Sequence, residues 1–521
     1  MTEKRESEAD YQRGRGLLLA VLILYAVISR VYLVLRYSGL NVMGDGAYFV
    51  RAAESVISSG SIAGPITYQG GFGHPTFLAF LSEVTGLAPI TLQLYVAPIL
   101  GIIPLFIAYA LFRRLLGRTR SAFVALVVLA LLPDFLIVTS RSTHETLTIS
   151  LFVVELVVLF EIMFNPERKR GKLRWTALWW VVFLGLLSLN IVFAYVIMIT
   201  SVTLVVLVDL SLRRLNLESL LARRTWWSFV ATSVALTFFY AWYIYPPSAP
   251  GLVALHVNLL FVTEILTPDQ IAGYEFVQST WSSIWVYLGL TFSLWAMLAV
   301  ATAEWLREIR LFALRKTRRN PEKLFMVGAF GVLGFALGAS IAADFVTKLG
   351  NAQYRVLPLV LIVSVPLAVF ALRRHRLLAS RLAHNRLVAA TIVVGIVLLS
   401  TTSLMKATTD PSVSRYWSFY SVDELAGVNW VDRHLQGETV WADVDSRILR
   451  LSWQSSSGDN LYAVAYVYGV QQLRSNDYCY VFDSSLIEER LSQYGATLRI
   501  PNDANLVYQN GQTRIWGVCG T

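Results

Sequence analysis

The chain has 521 residues, 55% of them aliphatic or aromatic and only 15% charged. A soluble protein of this length could not bury so much apolar surface, so composition places the chain in a membrane. Its formal net charge is +10, but the basic residues form short flanks on apolar stretches and carry no nucleic-acid-binding motif, so nucleic acid is not an expected partner.

A spanning helix needs about 20 mostly apolar residues. Eleven stretches meet that need: Leu17–Leu35, Pro89–Phe112, Ala122–Val138, Leu147–Phe164, Trp175–Leu189, Val192–Leu210, Trp227–Tyr245, Trp281–Ala303, Leu324–Ala343, Val356–Leu372 and Leu387–Leu404. The fifth and sixth are separated only by Leu189-Asn190-Ile191, which predicts a tight turn. Residues 1–15 are charged and expected to be disordered. No small-residue cleavage site follows them, so the first stretch reads as a retained helix and not as a removed signal peptide.

Most of the 44 Lys and Arg fall in alternate gaps: the first sixteen residues, Arg113–Arg120, Arg168–Arg174, Arg213–Arg224, Arg307–Lys323 and Arg373–Arg386. The intervening membrane-proximal loops hold Arg51, Arg141, Lys348 and Arg355. Positive charge is retained on the cytoplasmic side. The pattern therefore predicts a multi-pass protein of the plasma membrane, N-terminus cytoplasmic. Eleven crossings put the C-terminus outside.

Taken in chain order, the first outer loop, Gly39–Ala88, holds two amphipathic segments, Ala47–Ser58 and Pro75–Thr85, joined by the Gly-rich stretch Gly60–Gly73. Pro246–Thr280 is the other long outer loop. The membrane domain is expected over residues 16–405, without internal repeats. Residues 406–521 then read as a small extracytoplasmic α/β domain. Helices are expected at Val422–Leu435 and Ser485–Tyr494, strands at Thr439–Val444 and Tyr478–Phe482, and a hairpin around Asn510-Gly511. Both cysteines, Cys479 and Cys519, lie in this tail, where an oxidising compartment allows a disulfide and equally allows two buried thiols.

Candidate chemistry clusters in the outer loops. Asp45, in Gly44-Asp45-Gly46-Ala47-Tyr48, fits two roles: the N-cap of the helix that follows, or a general base on a hydroxyl. His74, in Gly73-His74-Pro75, could bond a phosphate or sugar, or cap its own helix. Asp134 and the run Ser140-Arg141-Ser142-Thr143-His144-Glu145 form a dense polar link between the third and fourth spans. Lys348 and Arg355 flank the tenth span, where an Arg either snorkels or clamps a phosphate with two parallel hydrogen bonds. His74, His144 and His256 lack zinc-like spacing, so no metal site is predicted.

These features together resemble the GT-C superfamily of membrane glycosyltransferases that use a polyprenyl-phosphate-linked sugar, such as protein O-mannosyltransferases and aminoarabinose transferases. The resemblance rests on Gly44-Asp45-Gly46-Ala47-Tyr48, on Gly73-His74-Pro75, on Arg141 with Glu145, and on Tyr354-Arg355-Val356-Leu357-Pro358. Gly46 stands where the family commonly has a second acidic residue; a divalent cation is thus possible but not supported. No WWDYG-like motif occurs in the tail.

The resemblance implies an α-helical polytopic fold of about 11 spans and an inverting transfer from a polyprenyl (dolichyl or undecaprenyl) monophosphate donor. The acceptor would be a hydroxyl on a glycan, lipid or protein. It implies Asp45 and Glu145 as catalytic residues, Arg355, Lys348, Arg141 and His74 as donor-phosphate ligands, and Tyr48 and Tyr354 as substrate-positioning residues. Two other classes compete. A transporter would show repeats and mid-membrane ionisable residues; Glu155 and Glu161 do lie in the fourth span. A scaffold with an external binding domain would not need polar clusters on three outer loops.

Overall fold

The computed structural model describes residues 2–36, 46–64, 66–68, 70–141, 143–164, 169–214, 223–250, 253, 283–314, 320–346, 352–374, 386–408, 410, 412–414, 421–435, 438, 440–441, 461–462, 479–486, 488, 500 and 504–517. The long helices are α1 (Thr2–Arg36), α2 (Gly46–Ser59), α3 (Gly73–Thr85), α4 (Pro89–Leu116, locally irregular), α5 (Thr119–Leu131) and α6 (Pro133–Ser140). They continue with α7 (Glu145–Phe164), α8 (Lys169–Leu189), α9 (Ile191–Arg214), α10 (Arg223–Phe239), α11 (Ile284–Ala313), α12 (Pro321–Val346), α13 (Ala352–Arg374) and α14 (Arg386–Ala407). Seven of the described helices are long and apolar enough to cross a membrane, and α5 with α6 makes an eighth, bent by 70°. The shorter apolar helices Arg174–Leu189, Val230–Ile244 and Val393–Ala407 lie at the other three expected positions. The chain is thus a polytopic integral membrane protein.

Three details depart from the sequence reading or sharpen it. Helix α1 extends back to Thr2, through charged residues read as disordered; Glu, Lys, Arg and Ala are good helix formers. The third span is two helices, because Pro133 cannot supply the N–H that would continue α5. The turn at Asn190 is as tight as expected: α8 ends at Leu189 and α9 begins at Ile191.

The chain divides into two compact units. The first comprises Met1–Val31, Tyr68–His74 and Ile99–Ala407. Within it, α7 and α13 are central, 72% and 78% buried along their apolar windows, against 28% for α11. The basic helix ends here pair with acids. Arg114 bonds Glu161 at 2.8 Å, joining α4 to α7. Buried Glu304 and Glu308 of α11 meet Arg307, Lys323 and Arg374, joining α11 to α12 and α13.

The second unit comprises Tyr32–Thr67, Pro75–Pro98 and Thr408–Thr521. Its helix α15 (Val422–His434) starts with a capping box, Ser421 accepting from the Glu424 N–H and Glu424 from the Ser421 N–H. The strands are β1 (Val440–Trp441), β2 (Leu461–Tyr462), β3 (Tyr480–Ser484), β4 (Asn505–Asn510) and β5 (Thr513–Gly517). They form one mixed sheet ordered β2-β1-β3-β5-β4, with β1 parallel to β2 and β3, and β5 antiparallel to β3 and β4. The expected hairpin is β4–β5. Val428, Val431, Val440, Phe482 and Ile515 form the core, and Leu94 from α4 packs against it. The start of α4 therefore belongs to this unit, although its sequence reads as membrane span. Cys479 is disulfide-bonded; Cys519 lies outside the described residues, as does most of the expected helix Ser485–Tyr494.

Candidate functional site

In the first unit, the stretch Tyr68–His74 lies as a strap across the α8–α9 turn. The Ile191 N–H donates to the Gly70 carbonyl at 2.9 Å. The Tyr245 hydroxyl donates to the Tyr68 carbonyl at 2.9 Å. Phe72 stacks on Tyr240 with centroids 6.0 Å apart and meets Tyr245 edge-on at 5.4 Å. Gly71 is required by close approach: a Cβ there would lie 2.3 Å from the Ser188 carbonyl oxygen.

Asn190 organises the turn beneath. Its Oδ1 accepts from the Phe193 N–H at 3.0 Å, capping α9, and its Nδ2 lies 2.9 Å from His144 Nε2. His144 is buried, 5.8 Å from the Tyr68 ring and edge-on to Phe193 at 6.2 Å. The Arg355 guanidinium lies 6.0 Å from the centroid of the same Phe193 ring, within cation–π range. Phe193 is thus shared by an exposed Arg from α13 and a buried His from the α6–α7 link. The strap, the α6–α7 link, the α8–α9 turn and the start of α13 meet here.

The sequence-predicted residues distribute as follows. Arg355 is exposed at the first turn of α13. Arg141 and Glu145 are half-buried on either side of Thr143-His144. Glu145 is the first residue of α7, where a negative charge suits the helix N-terminus. His74 is buried at the end of the strap. Tyr48 is exposed on α2, in the second unit. Tyr354 lies in the first turn of α13. Asp45, Lys348 and His256 lie outside the described residues. Among the described residues, no group of three or more His, Cys, Asp or Glu could hold a metal ion.

Sequence reasoning gave no role to Tyr68, His144, Asn190 or Phe193. Asn190 had a readable signal, an Asn between two apolar helices being a favoured cap. Arg30 was also passed over as part of the first span. Its side chain is 1% exposed and donates to the Gly101 carbonyl at 2.9 Å and Thr139 Oγ1 at 2.8 Å. Gly101 must be glycine, since a Cβ would sit 1.8 Å from the Thr139 carbonyl oxygen. Thr139 in turn accepts, through its carbonyl, from the Thr146 hydroxyl at 3.1 Å. Arg30 thereby anchors the α6 end of the link that carries Arg141, His144 and Glu145, and Thr139 ties that end to the start of α7. Mid-membrane Glu155, the residue a transporter would need, accepts from Trp179 Nε1 at 3.2 Å and from Ser201 Oγ at 2.8 Å, bonds that tie α7 to α8 and α9.

No family model matches the chain, and no curated protein matches it in sequence. Solved structures do. An oligosaccharyltransferase of Archaeoglobus fulgidus, in complex with an inhibitory peptide and a dolichol-phosphate, aligns over 92% of this chain and 71% of its own, at 12% identity and TM-score 0.56. ArnT from Cupriavidus metallidurans, in the apo state, aligns over 98% of each chain at 14% identity and TM-score 0.50. ArnT is also known bound to undecaprenyl phosphate, and that structure aligns over 97% of this chain and 98% of its own, at 13% identity and TM-score 0.50. These are GT-C membrane glycosyltransferases.

The chain has a GT-C fold.

The GT-C likeness covers nearly the whole chain, tail included. The strap touches the α8–α9 turn and the α6–α7 link, both at ends of helices.

Proposed function

We propose that the chain is a membrane glycosyltransferase that moves a sugar from a polyprenyl monophosphate to a hydroxyl on a glycan, lipid or protein, at the extracytoplasmic face and with inversion. The observation that carries this reading is the grouping of Arg355, Phe193 and His144 beneath the strap, in a fold shared with proteins whose structures hold dolichol-phosphate or undecaprenyl phosphate. The disulfide at Cys479 and the alternating Lys and Arg pattern support the outward assignment.

The chemistry is a single displacement. The acceptor oxygen attacks the anomeric carbon as Asp45 takes its proton. The bond from that carbon to the phosphate oxygen breaks, and the electron pair leaves with the phosphate. Arg355 offers a planar fork to the departing anion, with Lys348, Arg141 and His74 supplementing it. Glu145 positions the acceptor or a basic partner. Tyr48 and Tyr354 position substrate.

Asp45→Asn tests the base directly. Asn retains a capping oxygen but cannot take the proton. A fall in transfer of roughly 100-fold with an unchanged melt is expected for a base. Near-normal transfer would reduce Asp45 to a cap.

A further inference from the structure

Asn190 has one acceptor and one donor group, and the acceptor is committed. Its Oδ1 receives the Phe193 N–H at 3.0 Å, so the group facing His144 Nε2 at 2.9 Å is the amide NH2. The reverse orientation would set two donors against each other at the start of α9. Since Asn190 donates, Nε2 must accept, and an accepting Nε2 carries no hydrogen. The hydrogen of a neutral ring then sits on Nδ1. Protonating Nε2 as well would oppose two donors and would place a second cation beside the Phe193 ring that Arg355 also approaches. Among the described residues, the charged and titratable groups of the surrounding elements include Arg141 and Glu145 on the same link, Tyr68 and His74 on the strap, Tyr245 bonded to the strap, Tyr195 on α9, and Tyr354 and Arg355 on α13.

We infer that Asn190 is a positioning residue of the active centre: it holds His144 as a neutral imidazole with its hydrogen on Nδ1, and so fixes His144 as a hydrogen-bond donor toward an oxygen anion of the lipid-phosphate substrate. The choice of substrate rests on the transferase reading; the tautomer rests on geometry alone. The same turn holds the strap through the Ile191 N–H and supplies Phe193 as the platform for Arg355.

The test uses the full chain in lipid nanodiscs, labelled with ¹⁵N-histidine. The six histidines are separated by difference against His144→Gln. The wild type should show His144 with a protonated Nδ1 and a bare, pyridine-type Nε2 at neutral pH. Asn190→Asp keeps the cap but turns the donor into an acceptor, so the hydrogen should move onto Nε2. The melt should change little, while transfer from a polyprenyl monophosphate-linked sugar falls at least about tenfold, the loss expected for one hydrogen bond to a charged group. His144→Asn, whose amide N–H falls near the place of Nδ1–H, should retain more transfer than His144→Gln, whose amide falls near Nε2. A wild-type hydrogen on Nε2 would overturn the proposal. So would undiminished transfer in an Asn190→Asp protein whose tautomer has switched. A wild type with the expected spectrum but no transfer would overturn the transferase reading and the substrate half of the proposal, leaving the tautomer assignment standing.

Discussion

Arg355 is where charge and geometry agree. On the expected topology an outer-loop Arg runs against the inside-positive bias, and its guanidinium also rests within cation–π range of an aromatic ring where the strap, the α6–α7 link and the α8–α9 turn meet. Arg355→Ala should weaken donor binding or phosphate departure far more than it lowers the melt. Arg355→Lys should fall between, because it keeps the charge and loses the fork. Donor affinity and transfer rate measured beside a thermal melt check this; unchanged kinetics in the Ala variant would leave Arg355 as a snorkelling residue. In the tail, Asp483 is fully buried on β3 beside Arg514, whose Nη2 lies 2.7 Å away. Burial pushes the Asp483 carboxyl up to about 6, with Arg514 pulling partly back. The folded state then holds a proton that the unfolded chain releases near 3.8, so this group's contribution to stability is present below that pH and is lost as pH rises through about 6. The melt of wild type relative to Asp483→Asn should be higher at pH 4 than at pH 7; a pH-independent difference would contradict it. Arg355, His74, Arg141 and Glu145 stand out in the sequence as proposed site residues because each is a polar residue in an unexpected place. Tyr68, His144 and Phe193 do not, because their contacts join segments far apart in the chain, such as His144 and Asn190, 46 positions apart.

At the scale of elements, short polar contacts hold broken helices in place. Lys406 at the end of α14 bonds Asp134 in α6 at 2.5 Å, both buried. The Ser403 hydroxyl on the same helix donates to the Leu131 carbonyl at 2.5 Å, at the break between α5 and α6. Lys406→Met leaves the Asp134 charge uncompensated and should cost about 3–5 kcal/mol, whereas Lys406→Met with Asp134→Leu should recover most of it. A full double-mutant cycle by chemical denaturation measures the coupling; additive losses would show that the pair does not act as one. The strap makes a second prediction. Gly71→Val forces a side chain into the Ser188 backbone. Transfer should collapse while the membrane bundle still melts cooperatively. Normal transfer would show that the strap is a passive connection. Elements such as α15 and the β4–β5 hairpin were legible because caps and turns are local. The α5–α6 bend was not, since its single apolar run conceals Pro133 as a break.

For the whole molecule, the apolar segments were readable because the bilayer imposes their length; the direction proposed for them rests on the alternating charge. The share of α4 taken into the tail unit was not, because an apolar residue such as Leu94 serves a protein core as well as a lipid. Labelling of single cysteines introduced at Gly60–Gly73 and after Met405 should succeed from outside intact cells, and labelling within Arg113–Arg120 only after permeabilisation. The reverse pattern would move the candidate site to the wrong face. The most direct measurement is turnover by the purified chain in lipid. Given a polyprenyl monophosphate-linked sugar and a hydroxyl acceptor, it should release polyprenyl monophosphate and form a glycoside of inverted anomeric configuration. Product of retained configuration, or no release of polyprenyl monophosphate across a panel of such donors by a well-folded protein, would contradict the account.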